Sequence, residues 1–210
     1  MNRTSRLLLA TAALLLVGTY FVPLWQITLE APQYPEGLGM NIFLHTVEGA
    51  SPNDLESINN LNHYIGMKRI EPDSIAELAF MPYIMAGMIV LGLGAAAWGR
   101  RWTALAWVLL FAGLGLAGMV DFYIWEYHYG HDLDPKAIIK IPGMSYQPPL
   151  IGSEQILNFM AHSYPGIGAV IAAVSGLLAA WVWWRSRPRT SRAGKHERLD
   201  NDLGRNVSPN

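Results

Sequence analysis

The sequence predicts an α-helical membrane protein: four transmembrane helices carrying a small α+β extracytoplasmic cap formed by two loops. Three observations predict it. Of the 210 residues, 51% are hydrophobic and only 15% charged, a balance foreign to a soluble domain. Several apolar runs reach the roughly 17–25 residues that a bilayer crossing needs. Arginines mark one end of each run, while the opposite ends open into long segments poor in basic residues.

Residues 1–25 read as a signal-anchor span. Arg3 and Arg6 precede the apolar run that starts at Leu7, and no small-x-small cleavage site closes it before Tyr20, Phe21 and Trp25. Residues 26–81 form the first loop. Trp25-Gln-Ile-Thr-Leu-Glu30 alternates in polarity, Pro32, Pro35, Gly37 and Gly39 supply a turn, and Met40–Val47 alternates again, which predicts a β-hairpin. Pro52-Asn53-Asp54 opens a short helix with an apolar stripe of Leu55, Ile58, Leu61 and Ile65. Ser74 and Glu77 stand at capping-box spacing and start a helix that feeds the second span.

Residues 82–124 read as a transmembrane hairpin, with spans over 82–99 and 102–124 joined at Arg100-Arg101. The second loop, 125–164, holds the polar stretch Glu126–Asp134, an apolar Ile138–Ile141, a turn at Pro142-Gly143, and a helix capped by Ser153 that runs to about Ser163. Residues 165–184 make the fourth span, and 185–210 are a basic, then polar, tail expected to be solvated and disordered. The segments before the second and fourth spans share Leu followed by Phe-Met, which suggests an internal duplication. Gly168, Ala172 and Gly176, with Gly113 and Ala117, predict close helix packing.

Charge sets the orientation. Arg3 and Arg6, Arg100 and Arg101, and Arg185, Arg187, Arg189 and Arg192 fall on one side, whereas the two loops carry only Lys68, Arg69, Lys136 and Lys140. By the positive-inside rule both termini are expected in the cytoplasm and both loops outside it.

Function must then come from the loops. The absence of cysteine excludes disulfide staples, thiolate metal sites and cysteine nucleophiles. The basic residues are accounted for as orientation signals, which excludes nucleic-acid binding, and no serine sits in a nucleophile elbow. What the loops do carry is histidine and methionine. His63 and Met67, in Leu61-Asn-His-Tyr-Ile-Gly-Met67, would share one face of a helix at i, i+4. His128 and His131 lie at i, i+3 among Glu126, Asp132 and Asp134, a set that could bind Zn²⁺, Cu²⁺ or another divalent ion. Met144 follows Gly143 in the same loop, and Met81, Met85 and Met88 form a ladder on the second span. Imidazole and thioether together suit Cu(I), which is soft, and leave Ca²⁺ and Mg²⁺ without the oxygens they need. Each feature also has a plain structural explanation. Gly66 could cap the helix with Met67 filling a hydrophobic gap, the tyrosines around His128 could anchor a hydrated interface, and membrane methionines commonly fill space. The expected metal ligands are His63, Met67, His128, His131 and Met144.

The loop segments Ala31-Pro-Gln-Tyr-Pro-Glu-Gly-Leu38, Leu61–Met67 and Ile141-Pro-Gly-Met-Ser-Tyr-Gln-Pro-Pro149 resemble small bacterial integral membrane accessory proteins encoded with nitrous oxide reductase and its copper-maturation factors. The resemblance covers the loops, roughly half the chain by eye, and brings no catalytic residues with it. It implies a multi-pass protein of the bacterial inner membrane, not itself an enzyme. Such a protein would deliver copper to a periplasmic cuproenzyme such as nitrous oxide reductase, or help mature it. The partners are then membrane lipid, that enzyme or other maturation proteins, and further subunits of a homo- or hetero-oligomer. Two rivals stand beside this reading: a metal-free structural or docking subunit, and a quinol- or metal-dependent enzyme using Glu126, His128 and His131. The absence of a histidine pair inside the spans counts against the latter.

Overall fold

The structure, a computed structural model, describes residues 1–141 and 143–187. Helix α1 (Arg3–Leu15) continues into a 3₁₀ segment, Leu16–Tyr20. Strands β1 (Trp25–Ala31), β2 (Tyr34–Ile42) and β3 (Val47–Gly49) follow, then α2 (Asp54–Ile65), α3 (Ala76–Trp98) and α4 (Arg101–His131). Strands β4 (Gly152–Ile156) and β5 (Phe159–Pro165) lead into α5 (Ile167–Arg185). All strands join one antiparallel sheet in the order β3-β2-β1-β5-β4.

This corrects the expected fold class. Among the described residues three helices, α3, α4 and α5, are long and apolar enough to cross a membrane, not four. The N-terminal segment is only 13 α-helical residues before it tightens into the 3₁₀ turn, and Leu9, Ala12 and Leu16 are buried among α3, α4 and α5. The part outside the bundle is no small cap of separate loop elements. It is a five-stranded sheet in which β1 pairs with β2 on one side and β5 on the other, so both long segments build one domain.

The expected first hairpin forms, with its turn at Pro32-Gln33 and β2 already under way at Tyr34. The helix predicted over 153–163 does not. That segment is the β4–β5 hairpin, with Ser153 opposite His162 and Leu157 in the left-handed region at φ 57° in the turn. Its inward positions on β5 are Ala161 and Ser163, both 0% exposed. Small residues there hide the alternation that bulky ones would display. Ser74 does not cap a helix either: its hydroxyl donates to the Glu71 carbonyl, and α3 starts at Ala76 and passes unbroken through Pro82. With one segment strand and the other helix, the suggested duplication is lost. Residues 188–210, most of the expected disordered tail, lie outside the described residues, as does Pro142 of the expected turn.

Within the bundle, polar side chains bridge helices as they do where water is scarce. Trp107 Nε1 donates to the Met88 carbonyl at 2.8 Å, and Ser175 Oγ to the Ala12 carbonyl at 2.6 Å. Backbones come closest at Gly92, where an added Cβ would lie 2.6 Å from that of Ala13. Gly176 meets Phe111, while Gly113 faces open space, so only part of the predicted small-residue stripe packs.

The bundle has chemically distinct ends. At one, the Met1 amino group donates to the Gly99 carbonyl and Arg6 to the carbonyls of Ala96 and Ala97. Arg101 and Arg187 lie over the Trp183 ring at the same end. The sheet stands at the other. At 31 residues α4 is roughly 46 Å long, more than the hydrocarbon layer of about 30 Å, so its last turns rise into the sheet domain. There Phe122 and Trp125 pack with the inward residues Trp25, Ile27 and Met40 and with Ile58 of α2.

Candidate functional site

Between the inner face of the sheet, α2 and the top of α4 lies a cavity of about 80 Å³. Each wall follows from local sequence. Alternation along β1 and β2 turns Ile27, Leu29 and Met40 inward. The stripe Ile58, Leu61 and Ile65 faces the same space from α2. The Asp54 carboxylate fixes that helix to the sheet by accepting from the amides of Gly39 and Ser51, each at 3.0 Å. Helix α4 contributes Trp125, Glu126 and Tyr129, and the segment before β4 contributes Tyr146 and Pro148. Gly130 lets that segment lie against the helix, because a Cβ there would strike the Gln147 backbone, and the Tyr146 amide donates to the Gly130 carbonyl at 3.0 Å.

The cavity is apolar with few exceptions, and those carry its chemistry. Glu126 is 0% exposed, and neither of its carboxyl oxygens has a hydrogen-bond partner among the described residues. The Tyr146 hydroxyl is also buried and unpartnered. A carboxylate in such surroundings, with no cation to meet it, carries a heavy desolvation cost. The site therefore suits something that either donates hydrogen bonds or is positively charged. Met40 and Met67 add thioethers to the same wall, and Trp125 and Tyr129, with ring centroids 4.2 Å apart, add aromatic faces.

The five residues expected to bind metal fall in different places. His63 is exposed on α2. Met67 does not share its face: the helix stops at Gly66 with φ 83°, the Met67 amide donates back to the Asn62 carbonyl, and its side chain lines the cavity. His128 is exposed, with Nδ1 3.1 Å from Asp132. This hydrogen bond, helped by Lys68 nearby, holds the Asp132 carboxyl below the usual carboxylate range. His131 stacks on Tyr127, centroids 4.0 Å apart, and its Nδ1 lies 3.0 Å from the Tyr127 carbonyl. Met144 is half-buried in the segment before β4. Among the described residues no three His, Asp or Glu side chains group as a metal site.

The segments bearing these residues do meet. The Asp134 amide donates to the Gly66 carbonyl at 2.8 Å, Ile139 to Tyr64 at 2.9 Å, and the Tyr129 hydroxyl to Arg69 at 3.2 Å. Lys68 and Asp132 face each other at 3.5 Å.

Sequence reasoning missed Met40 and the buried state of Glu126. The signal for Glu126 was present: Phe122, Glu126 and Tyr129 share a helical face, visible once the helix is carried past Ile124. A second missed cluster lies on the outer face of the sheet. Ser153 Oγ is 2.6 Å from His162 Nδ1 and 3.1 Å from the Tyr164 hydroxyl, and His162 Nε2 is 3.7 Å from Glu30. The residue types are those of a nucleophilic triad, but they stand as cross-strand neighbours on an open sheet face, the ordinary geometry of polar strand pairing.

No protein-family model matches the chain, and no curated protein matches it significantly.

Proposed function

We propose that this protein is a membrane-anchored accessory protein that receives or presents Cu(I) for a copper enzyme outside the cytoplasm. The arginine-bearing end would lie in the cytoplasm of a bacterial inner membrane and the sheet domain in the periplasm. The observation that carries the reading is the junction of the α2 C-terminus with the end of α4, which brings the His63–Met67 segment beside the His128–Asp134 segment. Between them the two segments carry thioether and imidazole side chains, the donors that soft copper prefers, in a chain without cysteine. The resemblance of the loops to proteins encoded with nitrous oxide reductase supplies the class of partner.

The test is anaerobic titration of the full-length protein in detergent with Cu(I), against a colorimetric Cu(I) chelator. One equivalent withheld from the chelator is expected, and its loss in a His63→Ala, Met67→Ala double variant. A wild-type protein that leaves all copper to the chelator ends the reading.

One feature favours the metal-free docking subunit instead. Ile138, Ile139 and Ile141 are exposed side by side near Tyr64, the kind of apolar surface a partner covers. Under that alternative the wild type binds no Cu(I), and Ile138→Ser with Ile139→Ser weakens association with the partner.

A further inference from the structure

We propose that the cavity beneath the sheet is a site for a soft monovalent cation, held by the thioethers of Met40 and Met67 and neutralised by Glu126. This deepens the copper reading and rests on it. It relocates the binding point from the exposed histidines to the domain interior.

Three observations lead there. Met40 from β2, Met67 from the turn after α2 and Glu126 from α4 line one cavity, although they are far apart in the chain. Glu126 is fully buried and has no hydrogen-bond partner among the described residues. Burial pushes its carboxyl up to about 8, so it keeps its proton until a cation enters to take that proton's place. The remaining wall is apolar and aromatic, with Trp125 and Tyr129 beside the acid.

Charge and softness then select the occupant. A single carboxylate cancels one positive charge, so a monovalent ion forms a neutral pair that an apolar cavity tolerates. A divalent ion would leave a net charge buried. Ca²⁺ and Mg²⁺ also need more oxygens than the wall offers. Thioethers hold Cu(I) and its analogue Ag(I) but not Na⁺ or K⁺. Aromatic faces next to the acid further favour a cation. The site would bind Cu(I) without changing its oxidation state, and the Glu126 proton leaves to solvent as the ion takes its place, so no electron acceptor is required.

The experiment uses the full-length protein in detergent with methyl-labelled methionine. Ag(I) serves as the air-stable probe and Cu(I) is repeated under anaerobic conditions. Binding is expected to move the methyl signals of Met40 and Met67 selectively among the nine methionines. Met40→Leu and Met67→Leu keep the volume and apolar character of the wall, and each should weaken affinity at least about tenfold. Glu126→Gln, which keeps shape and removes the charge, should do likewise. Thermal melts of each variant without metal confirm folding.

A His63→Ala, His128→Ala, His131→Ala variant should bind as the wild type does. If this histidine variant loses the ion while the two leucine variants keep it, the cavity site is overturned and the copper reading survives. If the wild type binds neither ion, both fall. Unmoved Met40 and Met67 signals in a protein that does bind the ion also overturn the cavity site.

Discussion

Gly66 decides which way Met67 points. As a residue of a continuing helix, position 67 would stack over His63. The left-handed turn at Gly66 (φ 83°) ends the helix and swings Met67 under the sheet. Sequence alone held both outcomes, since a glycine after an apolar stripe is a common helix stop and also tolerable within a helix. Only packing settles it: a Cβ at Gly66 would lie 2.8 Å from Ala137 Cβ and 3.0 Å from the Asp134 amide nitrogen. Gly66→Ala therefore meets both an unfavourable φ and a steric conflict with the segment after α4. It is expected to cost about 1–3 kcal/mol. A lowered thermal midpoint in detergent and faster hydrogen exchange at the Asp134 amide check this. An alanine variant as stable as wild type would mean that the α2 and α4 ends are not tied in the way described. Glu126 was hidden by the opposite ambiguity. Polar residues after Ile124 suggested that the helix stopped there, whereas it runs on to His131.

Helix α4 and the β4–β5 hairpin are the elements where pattern and structure parted. Three of the four expected spans match long apolar helices, because length and apolarity are properties of the segment itself. The first does not, since its 13 α-helical residues tighten into a 3₁₀ turn. The first hairpin was legible because its inward residues are large. The second hairpin was not, since Ala161 and Ser163 fill its inward positions and a serine followed by Leu and Phe-Met imitates a capped helix. Those small residues are there because β5 lies close to its neighbours: Trp25 Nε1 donates to Ser163 Oγ at 2.8 Å, and Ala161 has no exposed surface. A larger side chain at 161 has no room. Ala161→Leu is expected to destabilise the protein by about 1–3 kcal/mol through overpacking. Ser153→Ala, on the open face of the same hairpin, should change stability by less than about 0.5 kcal/mol. Paired thermal denaturation of the two variants tests the assignment of inner and outer faces. Equal effects, or a larger one for Ser153, would reverse it.

At the scale of the whole molecule, the arrangement rests on opposite ends with opposite chemistry. Met1, Arg6 and Arg101 gather where α3 turns into α4, and among the described residues the sheet and the acids of its domain lie at the far end of the same helices. The bundle thus carries an orientation signal on one end, and a bilayer reads such signals by retaining arginines on the cytoplasmic side. The chain lends itself to a clean test because it has no cysteine, so each introduced thiol is the only one present. Ser51 is exposed in the sheet domain, and Thr4 is exposed in the first turn of α1 at the arginine end. In intact cells whose outer membrane has been made permeable, Ser51→Cys is expected to react with a membrane-impermeant maleimide and Thr4→Cys to remain unlabelled. Lysis should make Thr4→Cys reactive as well. The reverse pattern would put the cavity and its methionines in the reducing cytoplasm, where a copper enzyme outside the cell membrane could not be served. Labelling of both sites in intact cells would mean that the helices do not separate the two ends at all.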